Sequence, residues 1–160
     1  MKVLVVYFSR TGNTRQIAQA MTGPLAADLE CVQDGGAHSG IWGYVRSSYE
    51  AIRERVITIG APIRDPSDYD LIILGTPVWA HNMCSPIRSY IAARKERFRA
   101  IAVFCTQGGS GASKVIGDIG KLCGRAPLAS LVLDDQEIKK GQFTDKLTTF
   151  IKSVTLAQAA

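Results

Sequence analysis

The chain has 160 residues, and 19 Lys and Arg against 14 Asp and Glu leave a formal charge of +5. A chain of this length buries most of its apolar surface around one core, so a single domain over residues 1–160 is expected. Its composition, 46% hydrophobic and 21% charged, excludes a disordered, collagen-like or low-complexity chain. Net charge bears on partners and not on fold, so the +5 has to be located before it points to nucleic acid or an anionic ligand.

The first apolar run, residues 3–8, is far shorter than the roughly 20 residues that cross a bilayer, and no later run approaches that length. It has no small-residue cleavage site behind it and does not read as a secretory signal. A soluble, cytoplasmic protein with no membrane partner is expected. The four cysteines, Cys31, Cys84, Cys105 and Cys123, are widely spaced and include no CxxC pair. They read as reduced thiols, not as a disulfide framework or a zinc site. With only His38 and His81 beside them, no metal constellation can be assembled.

Further apolar runs follow at 29–32 (the weakest), 71–74, 101–105 and 128–133, each too brief for a helix and rich in Val, Ile and Leu. Apolar runs without alternation suit strands buried on both faces, the condition of a parallel sheet covered by helices. Between them, Ile17, Ala18 and Met21 recur at helical spacing after Asn13-Thr14, with a break or irregular last turn at Thr22-Gly23-Pro24. From Trp42 to Arg55, the residues Trp42, Val45, Tyr49 and Ile52 share a helical face. A third helix begins at Pro86 and runs into the charged end Arg94-Lys95-Glu96-Arg97. Two more are expected over 113–122 and 144–154, with irregular segments at 34–40 and 61–70. Strand and helix alternate throughout, which predicts an α/β three-layer sandwich with right-handed crossovers.

Ligands of such sheets bind at the carboxyl ends of the strands, so the residues after each run carry the functional signal. After the first come Ser9, Arg10, Thr11, Gly12, Asn13 and Thr14, leading into a helix. Hydroxyls, an amide and the free N–H groups of a helix start make a donor cluster suited to a phosphate. An ordinary N-cap, with Thr11 or Asn13 satisfying helix donors, is the alternative. Three phosphate chemistries fail on the residues. No Gly-Lys-Ser or Gly-Lys-Thr of a nucleoside-triphosphate loop exists. The strands run into Ser9, Gly75 and Thr106, where a phosphoryl-accepting carboxylate would be needed. Cys105 is followed six residues later by Gly111, not by the Arg of a cysteine phosphatase.

The segment Tyr7-Phe8-Ser9-Arg10-Thr11-Gly12-Asn13-Thr14 resembles the [ST]-x-T-G-N-T loop of the flavodoxin family, and the likeness extends over almost the whole chain. Gly75-Thr76-Pro77-Val78-Trp79-Ala80 is similar to that family's loop beside the isoalloxazine ring, and Cys105-Thr106-Gln107-Gly108-Gly109-Ser110-Gly111 stands in the place of its second flavin-flanking loop. The resemblance implies FMN as cofactor and a five-stranded parallel sheet in the order 2-1-3-4-5. It assigns the phosphate to Ser9, Arg10, Thr11, Gly12, Asn13 and Thr14. It assigns the ring to Thr76, Pro77, Val78, Trp79 and Ala80 on one side and Thr106, Gln107, Gly108 and Gly109 on the other. The physical fit is direct. A phosphate without dedicated cationic pairs needs many N–H and O–H donors, with Arg10 as an optional charge. Trp79 can stack on a flat ring or be a packing residue beneath the loop, and glycine lets backbone approach a ring edge.

The sequence departs from the acidic electron carriers of that family. It is basic, and residues 106–113 contain no aromatic. Their Thr-x-Gly-Gly-Ser-Gly wording is similar to loops of flavin-dependent quinone reductases. Two functions follow from the resemblance: an electron carrier between a reductase and an acceptor protein, with no catalytic side chain, or an NAD(P)H-dependent FMN oxidoreductase acting on quinones or similar small acceptors. A unit charge about 10 Å from a flavin, at an effective dielectric of roughly 40, is worth on the order of 0.8 kcal/mol, about 35 mV for one electron. Fewer acids near the flavin therefore predict a less negative second potential. The basic residues concentrate over 46–64 and 88–99, either as solvated helix faces with local ion pairs or as a docking surface. No nucleic-acid motif appears. His81, two residues past Trp79, is a candidate hydrogen-bond donor or acid, Cys84 and Cys105 are candidate redox modulators or core residues, and a monomer or small oligomer is expected.

Overall fold

The computed structural model describes residues 1–34 and 56–159. The helix expected over 42–55, His38, most of the 34–40 segment and part of the basic stretch 46–64 lie outside the described residues.

The sheet begins with β1 (Val3–Tyr7), followed by α1 (Asn13–Leu25) and β2 (Asp28–Cys31). Then come β3 (Leu71–Trp79), the short β4 (Asn82–Met83), α2 (Ser85–Arg94), β5 (Ile101–Gln107), α3 (Ala112–Cys123), β6 (Ser130–Asp134), α4 (Asp135–Lys139) and α5 (Thr144–Ala159). Hydrogen bonding orders the sheet β2-β1-β3-β5-β6, with β4 attached to β3 alone. The five main strands are mutually parallel, so the predicted 2-1-3-4-5 order stands, with an antiparallel two-residue addition.

Every strand side chain in the centre of the sheet faces one apolar layer or the other. Val3, Val5, Tyr7, Leu71, Ile73, Ala102 and Phe104 join Ile17 and Met21 of α1 and Leu147, Phe150 and Val154 of α5. Leu4, Val6, Ile72, Leu74, Ile101 and Val103 join Ile87 and Ile91 of α2 and Val115 and Ile119 of α3. This is why the strands read as unbroken apolar runs: neighbouring side chains point to opposite faces, and both faces are covered.

Helix ends follow local chemistry. Pro24 sits inside the last turn of α1, and the helix closes at Ala26 (φ +47°) with its N–H on Gly23 O and the Ala27 N–H on Thr22 O. The charged end 94–97 leaves the α-helix as a 3-10 turn, Lys95–Arg97, and a second such turn, Pro66–Asp68, interrupts the segment 61–70.

Beside the cleft, two sequence boundaries shift. Residues 75–79 are strand and not loop, because β3 pairs with β5 as far as Pro77↔Thr106 and then with β4 through Val78↔Met83 and Trp79↔Asn82. Thr106 and Gln107 likewise belong to β5. Gly75 has a packing role: a Cβ there would lie 2.2 Å from Phe104 Cζ on the neighbouring strand.

Candidate functional site

At the carboxyl edge of the sheet lies a cleft of about 220 Å³ lined by Arg10, Thr11, Thr14, Pro77, Val78, Trp79, Ala80, Thr106, Gln107, Gly108 and Asp135. Four stretches separate in sequence converge on it, three of them forming its walls and the fourth contributing Asp135 from the end of β6.

The first wall is the turn from β1 into α1. The Gly12 N–H donates to Ser9 Oγ (3.1 Å), which closes the turn, and Gly12 adopts φ +100° as the N-cap, a conformation that glycine takes without steric cost. No side chain caps α1. The ordinary capping role considered for Thr11 or Asn13 is therefore not the arrangement present. Thr11 and Thr14 at this uncapped helix start line the cleft, with the positive end of the helix dipole behind them. Asn13 turns away from capping and donates through Nδ2 to Asp135 Oδ1 (2.7 Å). Thr14 is buried, and its hydroxyl shares a 2.8 Å hydrogen bond with Thr106.

The second wall is the end of β3. Trp79 is 7% exposed and belongs to the core beneath the cleft as well as to its surface. Phe8 packs edge-on against it, with centroids 5.5 Å apart and planes at 86°. The Arg10 guanidinium carbon lies 5.1 Å from the Trp79 ring centroid. Trp79 therefore packs in the core, one of the two roles the sequence left open, and also lines the cleft. Thr76 does not line the cleft. It is fully buried; its hydroxyl donates to Pro77 O (2.8 Å), lies 3.3 Å from Cys84 Sγ, and accepts from the Cys84 N–H (3.1 Å). Its hydroxyl ties the returning chain to β3.

Between β3 and β4 the chain reverses through Ala80 and His81, both left-handed at φ +47° and +62°. Asn82 steadies this turn, donating from Nδ2 to Ala80 O (2.9 Å) and accepting from Lys114 Nζ (2.7 Å). His81 is exposed and stands outside the cleft lining. Its backbone packs on Gly111, where a Cβ would lie 2.7 Å from His81 Cα.

The third wall runs from β5 to α3. Gln107 closes it: Oε1 accepts the Ala112 N–H (3.1 Å) and Nε2 donates to Asp134 Oδ1 (3.2 Å). Gly108, Gly109 and Ser110 are exposed, and a Cβ on Gly108 would come within 3.1 Å of Asp135 Oδ2. Ser9, Gly12, Asn13, Thr76 and Gly109 therefore fall outside the immediate lining, the first four as residues that shape or brace it.

Asp135 is the site residue that the sequence reading missed. It is the first residue after β6, so the carboxyl-end rule applied to the fifth parallel strand is the signal that finds it. Cys84 and Cys105 are fully buried behind the cleft, and that burial pushes both thiols up to about 12. They are protonated core side chains at neutral pH, not nucleophiles. Cys31, Cys84, Cys105 and Cys123 are all free thiols. Among the described residues, no group of three or more His, Cys, Asp or Glu could hold a metal ion, and no helix is long and apolar enough to cross a membrane.

Comparison with known proteins gives a consistent result. The family model described as flavodoxin matches residues 2–152. A flavoprotein from Lactobacillus acidophilus NCFM, crystallised in complex with FMN, superposes with a TM-score of 0.72 at 23% identity, covering 87% of this chain and 97% of that one. A flavoprotein candidate from Bacteroides eggerthii DSM 20697 gives 0.73 at 22% identity, covering 89% and 96%. The flavodoxin, WrbA-like protein from Agrobacterium tumefaciens gives 0.62 at 14% identity, covering 99% and 98%. At these identities the structural likeness establishes the fold. No curated protein matches the sequence.

Proposed function

Since the chain belongs to the flavodoxin family, we propose that it is a cytoplasmic FMN-binding electron carrier that takes electrons from a reductase and delivers them to an acceptor protein. The observation that carries this reading is the cleft itself, with an uncapped, donor-rich helix start on one wall and a buried tryptophan on another. FMN, the ligand of the Lactobacillus flavoprotein, suits both: its phosphate needs hydrogen-bond donors and its ring needs an aromatic wall.

The cofactor, when bound, supplies the redox chemistry, and the protein supplies position and electrostatics. Thr11 and the first-turn N–H groups of α1 hold the phosphate, with Thr14 beside them and Ser9 and Gly12 setting the turn. Trp79 covers ring surface, excluding water from it, and Pro77, Val78 and Ala80 extend that wall. Gly108 and Gly109 present backbone N–H groups to the ring's polar edge, while Gln107 and Thr106 fix the wall that carries them. Asn13 and Thr76 act from behind. Residues 1–160 form one cofactor-binding unit on this reading, and no side chain is needed as a catalytic acid or base.

One observation favours a second reading. Gly108, Gly109 and Ser110 are exposed and bring no aromatic side chain to the third wall, which leaves access for a nicotinamide or a quinone. The protein would then be an NAD(P)H-dependent FMN oxidoreductase. Anaerobic mixing of FMN-loaded protein with NADH or NADPH separates the two. The carrier reading expects no bleaching of the flavin band until a separate reductase is added, and fast direct bleaching would establish the second reading. Failure of FMN to bind in titration would remove both.

A further inference from the structure

Arg10 springs from the turn between β1 and α1, but its guanidinium ends on a different wall. Its Cζ is 5.1 Å from the Trp79 centroid, and both residues line the cleft. The ring beneath it is fixed, since Trp79 is 7% exposed and braced edge-on by Phe8. A guanidinium over an indole face is held by the ring quadrupole, more strongly where water is excluded. The phosphate end has its own donors in the uncapped first turn of α1.

We propose that Arg10 serves the aromatic end of the cleft, where its charge favours the reduced, anionic flavin ring over the neutral oxidised one, and that it is not the counter-ion of the phosphate. This rests on the FMN reading above. Full reduction adds two electrons and one proton to the neutral ring and leaves one negative charge on it, the electrons coming from the redox partner. A cation beside the ring attracts that added charge and leaves the oxidised ring nearly unaffected. Asp135, the acidic residue lining the cleft, acts in the opposite sense from the Gly108 side, and its carboxylate is engaged by Asn13 Nδ2.

The test uses the full chain and three variants, Arg10→Gln, Arg10→Met as a second neutral form, and Arg10→Lys, which keeps the charge. Each is titrated with FMN and with riboflavin, which lacks the phosphate, and its midpoint potential is measured with dithionite as electron source. The neutral variants are expected to weaken FMN and riboflavin by the same factor, within about threefold. They are also expected to lose reduced FMN about tenfold more than oxidised, a fall of about 30 mV in the two-electron midpoint. Arg10→Lys should restore most of that midpoint. A neutral variant that loses FMN tenfold more than riboflavin would overturn the proposal by placing Arg10 on the phosphate, and an unchanged midpoint would overturn it as well. These failures appear only in the variants, whereas failure of the FMN reading appears in the unmodified protein as absence of binding.

Discussion

The hydroxyls of Thr14 and Thr106 meet 2.8 Å apart in a buried hydrogen bond that joins the start of α1 to the end of β5 across 92 residues of sequence. Both side chains line the cleft and both are almost wholly removed from water, at 2% and 3% exposure. Replacing either one by Val strands the other hydroxyl, at a cost of about 1–3 kcal/mol. Thr14→Val and Thr106→Val should each lower the urea midpoint, while the double variant should recover much of the loss because no orphan remains. Additive losses in the double-mutant cycle would contradict the coupling.

Gly75 and Phe104 are paired residues on β3 and β5, and the glycine vacates the space that the phenylalanine ring fills. A Cβ at 75 would stand 2.2 Å from Cζ and 2.4 Å from Cε1 of that ring, which is fully buried. Gly75→Ala should therefore destabilise the fold by about 1–3 kcal/mol through overpacking. Adding Phe104→Leu should return part of the loss. Thermal unfolding of the two variants checks this, and a Gly75→Ala protein as stable as the parent would rule it out.

These contacts mark where the sequence was legible. The central strands could be read because each is an apolar run, and burial on both faces produces such runs, whereas the strand order came from the family resemblance. Residues 75–79 read as a loop because Gly-Thr-Pro lacks apolar character, yet their backbone groups find partners on β5 and β4. Hydrogen bonding sets that boundary, and hydrophobicity does not report it. The cleft-lining residues of the first two walls were visible as local motifs. Asp135 was not, because its role depends on Asn13, 122 residues away, and no spacing rule encodes such a meeting. Arg10 was read as an optional charge for the phosphate, and its contact with Trp79, 69 positions along the chain, is visible only in the structure.

Glu30 gives a pH signature outside the cleft. It lies on β2 at 5% exposure, and desolvation raises its carboxyl above the ordinary glutamate value. The Arg64 N–H (3.1 Å), the Ile63 N–H and the charges of Arg64 and Arg94 offset this only in part. A carboxyl with a higher pKa folded than unfolded contributes stability below its unfolded value and loses it as pH rises through the folded one. Relative to Glu30→Gln, which keeps an acceptor for Arg64, the parent protein should thus weaken as pH rises above the ordinary glutamate range. Urea unfolding of both proteins across that range checks this. A constant difference between them would mean that Glu30 ionises alike in both states.

The turn between β3 and β4 has a measurable conformational strain. Ala80 and His81 both sit in the left-handed region, where a side chain costs roughly 1–2 kcal/mol. Asn82 and Lys114 hold the turn from outside, and Gly111 receives His81 at a distance no Cβ would permit. Ala80→Gly relieves one strained residue but adds freedom to the unfolded chain, which offsets about 0.5–1 kcal/mol of the gain. The net expectation is a stabilisation of up to about 1 kcal/mol, read as a higher urea midpoint with an unchanged m-value. Gly111→Ala meets two penalties together, a φ of +111° and a Cβ 2.7 Å from His81 Cα, and should destabilise by more than about 1 kcal/mol. Opposite signs for these two substitutions identify the turn as strained and packed. A loss of stability in Ala80→Gly larger than the entropic cost would show instead that the left-handed pair is unstrained.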